Sequence, residues 1–135
     1  MKPSLVLFDL DHTLLDGDSD VLWCEYLMDR GVLDRATFEP RNRQMEAAYE
    51  AGTVSTQAFC SFYVGTLAGR SAAQWQPLCE AFLHERIAPR LWAAGRACVE
   101  QHRRQGHELV LTTATNRVIT EPTARALGFE HLIAT

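Results

Sequence analysis

The sequence predicts an α/β fold: a parallel sheet of about three strands, with a long block of helices inserted after the first. Three observations carry this prediction. Short apolar runs stand near the start, at 107–113 and at the end. Helical spacing fills everything between the first two. A second, shorter helical stretch joins the last two.

Ser4 to Asp9 (SLVLFD) is a run of β-formers bounded by polar residues, the pattern of a strand buried in a parallel sheet. Asp11 to Gly17 reads as a loop. Trp23, Tyr26 and Leu27 then fall at helical spacing, with Gly31 as a stop. Ala58, Phe59, Phe62, Tyr63, Thr66 and Leu67 make a second stripe, between an N-cap at Ser55 and Gly69. Trp75, Leu78, Cys79, Phe82 and Leu83 make a third, and Pro77 predicts that this helix starts late or bends. A further helix runs from about Leu91 to Gln105. His107 to Thr113 (HELVLTT) returns to strand. A helix follows to Leu127, interrupted or restarted near Pro122, and His131 to Thr135 reads as the third strand.

Composition sets the class. At 135 residues the chain suits one domain, and 47% apolar with 22% charged residues is ordinary for a globular protein. The net charge is −4, and the longest basic run is Arg103-Arg104, which argues against nucleic acid or an anionic membrane as partner. Cys24, Cys60, Cys79 and Cys98 are scattered and read as reduced thiols partly filling a core. Asp9 cuts the N-terminal apolar run, so a leader peptide is not expected and a cytoplasmic location is the default. The five histidines show no metal-ligand spacing. Nothing in the sequence marks an oligomeric state.

The chemistry concentrates in LVLFDLDHTLL, Leu5 to Leu15. Asp is depleted in strands and rarely buried unless paired or metal-bound. Residues two apart point to the same side, so Asp9 and Asp11 converge at the carboxyl end of the strand, where ligands of open α/β sheets sit. Two carboxylates held close repel. A hard divalent cation such as Mg²⁺ relieves that repulsion while one carboxylate attacks an electrophile, forming an aspartyl-phosphate. A capped turn is the plainer alternative. An EF-hand fails, because Leu14 stands where the loop needs Gly and Asp20 where it needs Glu. The acids of Asp16 to Asp20 read as a helix N-terminus, with Ser19 and Asp20 in the capping and dipole-complementing roles.

DLDHT matches the DxDxT motif that opens the haloacid dehalogenase superfamily of phosphohydrolases. LVLTTAT followed by a helix resembles its second motif, a hydrophobic strand ending in Ser or Thr. The helical insertion resembles the small cap of the phosphoserine-phosphatase-like branch, which includes histidinol-phosphate phosphatases. This resemblance implies a Rossmann-like core of residues 1–18 and 88–135 and a helical cap of residues 19–87. It implies a Mg²⁺-dependent phosphomonoester hydrolase acting on a small metabolite, or a phosphotransferase using the same intermediate. Asp9 would be the nucleophile and touch Mg²⁺. Asp11 would be the general acid/base, its main-chain carbonyl reaching the metal, and Thr13 would steady the loop. Thr113 (or Thr112, with the register shifted by one) would meet the phosphoryl oxygens together with N–H groups near Ala114, and Asp18 a substrate amine.

The chain also departs from the family pattern. The superfamily's third motif supplies a Lys and its fourth an acidic GDxxxD metal site, both after the third strand. No Lys follows Thr113; Lys2, at the other end of the chain, sits at the wrong end of a strand. The expectation is that these residues are the N-terminal part of a longer phosphatase and turn over poorly alone. The alternative is a short, inactive relative that serves as a binding module.

Overall fold

The computed structural model describes residues 4–135, so Lys2 lies outside the described residues. β1 (Leu5–Asp9), β2 (Glu108–Thr112) and β3 (His131–Ile133) form one parallel sheet in the order β1-β2-β3. The register pairs Asp9 with Thr112 and Thr112 with Ile133, so the three strands end level. Pairing outlasts the strands: Thr113 N–H donates to the Ile133 carbonyl at 2.9 Å. The third strand is shorter than its apolar run. Thr135 leaves the sheet to exchange backbone bonds with the loop after β2, its N–H donating to Thr115 O and its carbonyl accepting from Arg117 N–H.

The insertion contains α1 (Ser19–Asp29), α2 (Arg35–Glu50), α3 (Thr56–Gly65) and α4 (Ala72–Phe82), then a π turn (Leu83–Ile87) and a short 3-10 turn; α5 (Ala93–Arg104) leads into β2. The N-cap at Ser55 is present, its hydroxyl accepting from Ala58 N–H. α4 starts at Ala72 behind a capping box of Ser71 and Gln74 and runs through Pro77, so the expected late start is corrected. α5 begins at Ala93 because Leu91 pairs instead with Leu15 in an antiparallel bridge. α6 (Arg117–Ala126) also runs unbroken through Pro122, whose ring is buried in the packing.

α1 is covered on nearly every side, as a helix apolar all round must be. Leu22, Trp23, Tyr26 and Leu27 join the main core with Phe82, Ile87, Leu109, Leu111 and Ile119. Val21, Cys24 and Met28 face a second core with Phe59, Cys60 and Tyr63 of α3. Asn42 ties α2 to α1 by donating to the Val21 carbonyl and accepting from Tyr63. This double packing places the first turn of α1 against the carboxyl ends of the strands.

Candidate active site

Asp9 is the last residue of β1 and is exposed; Asp11 follows in a tight loop and is half-buried. His12 takes a left-handed backbone (φ 57°) and donates its N–H to the Gly17 carbonyl, which closes that loop. Thr13 Oγ1 donates to Asp9 Oδ2 at 2.7 Å. Among the described residues no hydrogen bond reaches Asp9 Oδ1, so one oxygen is held and the other is open.

Asp11 is bound far more tightly. Its Oδ1 accepts from Ser19 N–H and Ser19 Oγ, both at 2.6 Å. Its Oδ2 accepts from Thr113 Oγ1 at 2.9 Å and Thr115 Oγ1 at 2.7 Å. Ser19 Oγ and Thr115 Oγ1 lie 2.8 Å apart and Thr115 N–H donates to Thr113 Oγ1, so the ring closes on itself. Three of the four donors to Asp11 are hydroxyls, which turn freely between donating and accepting. The cradle therefore holds Asp11 in either protonation state without moving a heavy atom.

The loop after β2 thus meets Asp11 through two threonines. Thr112, opposite Asp9 in the register, makes no such contact. The Ala114 N–H donates to nothing among the described residues, while its carbonyl accepts from the Cys60 thiol of α3. Asn116 caps α6, its Oδ1 accepting from Ile119 N–H.

At α1 the expected capping by Ser19 or Asp20 is corrected, while Asp20 is the acid of the first turn as expected. The N-cap is Asp18, whose Oδ1 accepts from the N–H groups of Asp20 and Val21. Ser19 is drawn away by Asp11, and Asp20 is fully buried against Asn116. Burial, and next the charge on Asp11, raise the pKa of Asp18 to about 6. Burial also drives Asp20 well above the usual carboxylate range, reinforced by Asp18 and Asp11. Among the described residues no Arg side chain forms an ion pair with any of these four carboxyls.

Two donors suit a divalent cation: the open oxygen of Asp9 and the Asp11 carbonyl, which accepts no hydrogen bond among the described residues. The Asp11 side chain is already saturated by its four donors. Among the described residues no cluster of three or more metal-ligating side chains occurs. A two-point site fits Mg²⁺, which retains waters and takes substrate oxygens, better than an ion that needs an all-protein cage.

Sequence reasoning missed Ser19, Thr115, Asn116 and Asp20 as a connected group. The only signal was a second hydroxyl residue two past Thr113, in TTATN, and it pointed nowhere without knowledge of the fold.

Comparison with known proteins shows what the chain is similar to. The chain is 32% identical over 132 residues to a histidinol-phosphatase of Neisseria meningitidis, covering 98% of itself and 60% of that protein. It is 29% identical over 138 residues to phosphoserine phosphatase SerB1 of Mycobacterium tuberculosis, covering 42% of it. A Bordetella pertussis protein of unknown function superposes with a TM-score of 0.89 at 37% identity, over the whole chain and 61% of its own length. A substrate-bound phosphoserine phosphatase shares the fold alone, with a TM-score of 0.67 at 13% identity, over 99% of this chain and 56% of its own length. The chain thus spans about 60% or less of the relatives it matches. The haloacid dehalogenase-like hydrolase model matches residues 6–135, the two acids and the threonine loop included, and the chain belongs to that family.

Proposed function

We propose that the protein is a Mg²⁺-dependent phosphomonoester hydrolase working through an aspartyl-phosphate. The observation that carries this reading is the pairing of one open carboxylate, Asp9, with one cradled carboxyl, Asp11, two residues along. The open oxygen of Asp9 attacks phosphorus and the ester oxygen departs, taking a proton from Asp11. Asp11 then takes a proton from the water that hydrolyses the acyl-phosphate, restoring both acids. The hydroxyl cradle suits this alternation, since Thr113 can turn its one proton from Asp11 Oδ2 to the phosphoryl group, which frees that oxygen for the proton transfer while Thr115 and Ser19 keep Asp11 in place. Thr113 Oγ1 and the free Ala114 N–H, at the entrance to α6, serve the phosphoryl oxygens. Asp9 and the Asp11 carbonyl would hold a Mg²⁺ ion, which would supply positive charge where no Arg of the described residues pairs with these carboxyls.

The substrate is a small amine-bearing phosphomonoester of the phosphoserine or histidinol-phosphate kind. The matched relatives carry those names. One oxygen of Asp18 is committed to the cap of α1, so the amine falls to the other. Residues 19–87 form the cap and residues 1–18 with 88–135 the core. The place of action is the cytoplasm; no helix of the described residues is long and apolar enough to cross a membrane.

Among the described residues no Arg forms an ion pair with the four carboxyls, which favours a second reading for these 135 residues alone: binding without turnover. Losing a phosphate-clamping cation removes orders of magnitude in rate. Hydrolysis of para-nitrophenyl phosphate with Mg²⁺ tests both. Under the first reading Asp9→Asn lowers turnover at least about a thousandfold, because it deletes the nucleophile. Turnover that survives the exchange overturns the assignment of Asp9. Robust turnover by the 135-residue protein itself removes the second reading.

A further inference from the structure

One pair of side chains joins the first turn of α1 to the N-cap of α6. Asp20 Oδ1 accepts from Asn116 Nδ2 at 3.1 Å, and Asp20 is 0% exposed. Asn116 is buried too and is held at its other end, its Oδ1 accepting from Ile119 N–H while its carbonyl accepts from Thr120 Oγ1. Asn116 follows directly on Thr115, whose hydroxyl reaches Asp11. The amide plane of Asn116 is therefore fixed from both sides, and with it the end of the loop that carries Thr113, Ala114 and Thr115.

We propose that Asp20 is a positioning residue: through Asn116 it locks the Thr113–Thr115 loop to α1 in the orientation that aims both threonine hydroxyls at Asp11. The proposal rests on the reading of that loop as the phosphoryl site, which gives the locking its purpose.

An apolar side chain at position 20 would fill the same space more cheaply. Asp20 Oδ2 is buried with no hydrogen-bond partner, and an unmet polar atom of that kind costs about 1–3 kcal/mol. Buried polar groups retained at such a cost call for an explanation beyond packing, and functional clefts are where they concentrate. Burial and the neighbouring carboxyls of Asp18 and Asp11 push the Asp20 carboxyl well above its ordinary range and so favour its neutral form. A neutral carboxyl avoids repelling Asp18, two residues back, and still offers a carbonyl-like oxygen to Asn116.

This gives an isosteric test. Asn at position 20 presents the same oxygen and no charge, so Asp20→Asn should leave the loop in place, whereas Asp20→Ala removes the strut. Asn116→Ser breaks the strut from the other side, keeping a competent N-cap for α6. The readout is amide hydrogen exchange by NMR on the 135-residue protein, comparing the bonded amides of Thr113 and Thr115 with Leu111 in the middle of β2. Exchange at the loop amides should rise about tenfold in Asp20→Ala and Asn116→Ser relative to Leu111, the factor one ordinary hydrogen bond allows. In Asp20→Asn it should stay within about twofold of wild type.

Loop exchange that keeps step with Leu111 in Asn116→Ser overturns the proposal, since Asp20 would then support only the fold. Failure of Asp20→Asn to rescue overturns it as well. Should Asp20→Ala not fold, Asn116→Ser carries the decision. A titration with inorganic phosphate and Mg²⁺ judges the other reading separately. Wild-type resonances at Thr113–Thr115 that do not move count against the phosphoryl site, and the strut still stands or falls on exchange.

Discussion

Asp18 and Asp20 lie two residues apart, yet their environments set them different tasks. Asp18 caps α1 and its pKa is pushed up to about 6, so the folded protein holds a proton there more tightly than the unfolded chain. Stability from this group is therefore complete below about pH 4 and is lost as pH rises through about 6, a difference of at most about 3 kcal/mol. Asn caps helices as well as Asp does but cannot ionise. In metal-free buffer Asp18→Asn should therefore exceed wild type in stability at pH 8, the gap closing towards pH 4; urea denaturation across that range measures it. A variant less stable at pH 8 would mean that the helix-dipole attraction for the charge outweighs its burial. Strand geometry predicts that Asp9 and Asp11 share a side, but β1 ends at Asp9 and Asp11 stands in the loop that follows, where its four donors rather than the pleat set its direction. The contacts of Asp11 with Thr115 and of Asp20 with Asn116 were not legible in the sequence, since their partners lie 104 and 96 residues away.

The elements were legible wherever periodicity and a cap agreed. Ser55 and the aromatic stripe after it predict α3 correctly, and HELVLTT predicts β2. The prolines give neither a late start at Pro77 nor a break at Pro122: both lie inside continuous helices, Pro77 exposed behind the capping box of α4 and Pro122 buried in the packing of α6. The C-terminus of α6 shows a different device. Gly128 follows it with φ +76°, and the guanidinium of Arg103 from α5 donates to the Leu127 carbonyl directly beside it. A Cβ at position 128 would collide with that guanidinium. Gly128→Ala should cost about 1–2 kcal/mol for the left-handed backbone, and more because Arg103 must leave the carbonyl. Urea denaturation reads the loss. A neutral result would show that the turn has an alternative conformation without Arg103.

At the scale of the molecule, the described helices pack on one face of the sheet, and on the other Val110 of the middle strand is buried while the edge strands stay open. Both crossovers, β1 to β2 and β2 to β3, step in the same direction along the sheet, and right-handed connections then put their helices on the same side. Val6, Phe8, Leu109, Leu111 and Leu132 point into that packed side. Leu5 and Leu7 alternate to the other face and remain 63% and 58% exposed, as does Ile133 of β3. Parallel sheets normally bury both faces, which is why the sequence, with its unbroken apolar strand, predicts burial for Leu5 and Leu7 that the described residues do not supply. The two faces should answer mutation very differently. Leu111→Ala opens a cavity at the centre of the middle strand and should cost about 2–5 kcal/mol. Leu7→Thr puts a β-branched residue of good strand propensity at an exposed strand position and should change stability by less than about 0.5 kcal/mol. Denaturant titration of the 135-residue protein checks both. A large loss from Leu7→Thr would show that this face is buried in solution by contacts outside the described chain. Asp9, which shares that face at the level end of the strands, would then be partly screened as well.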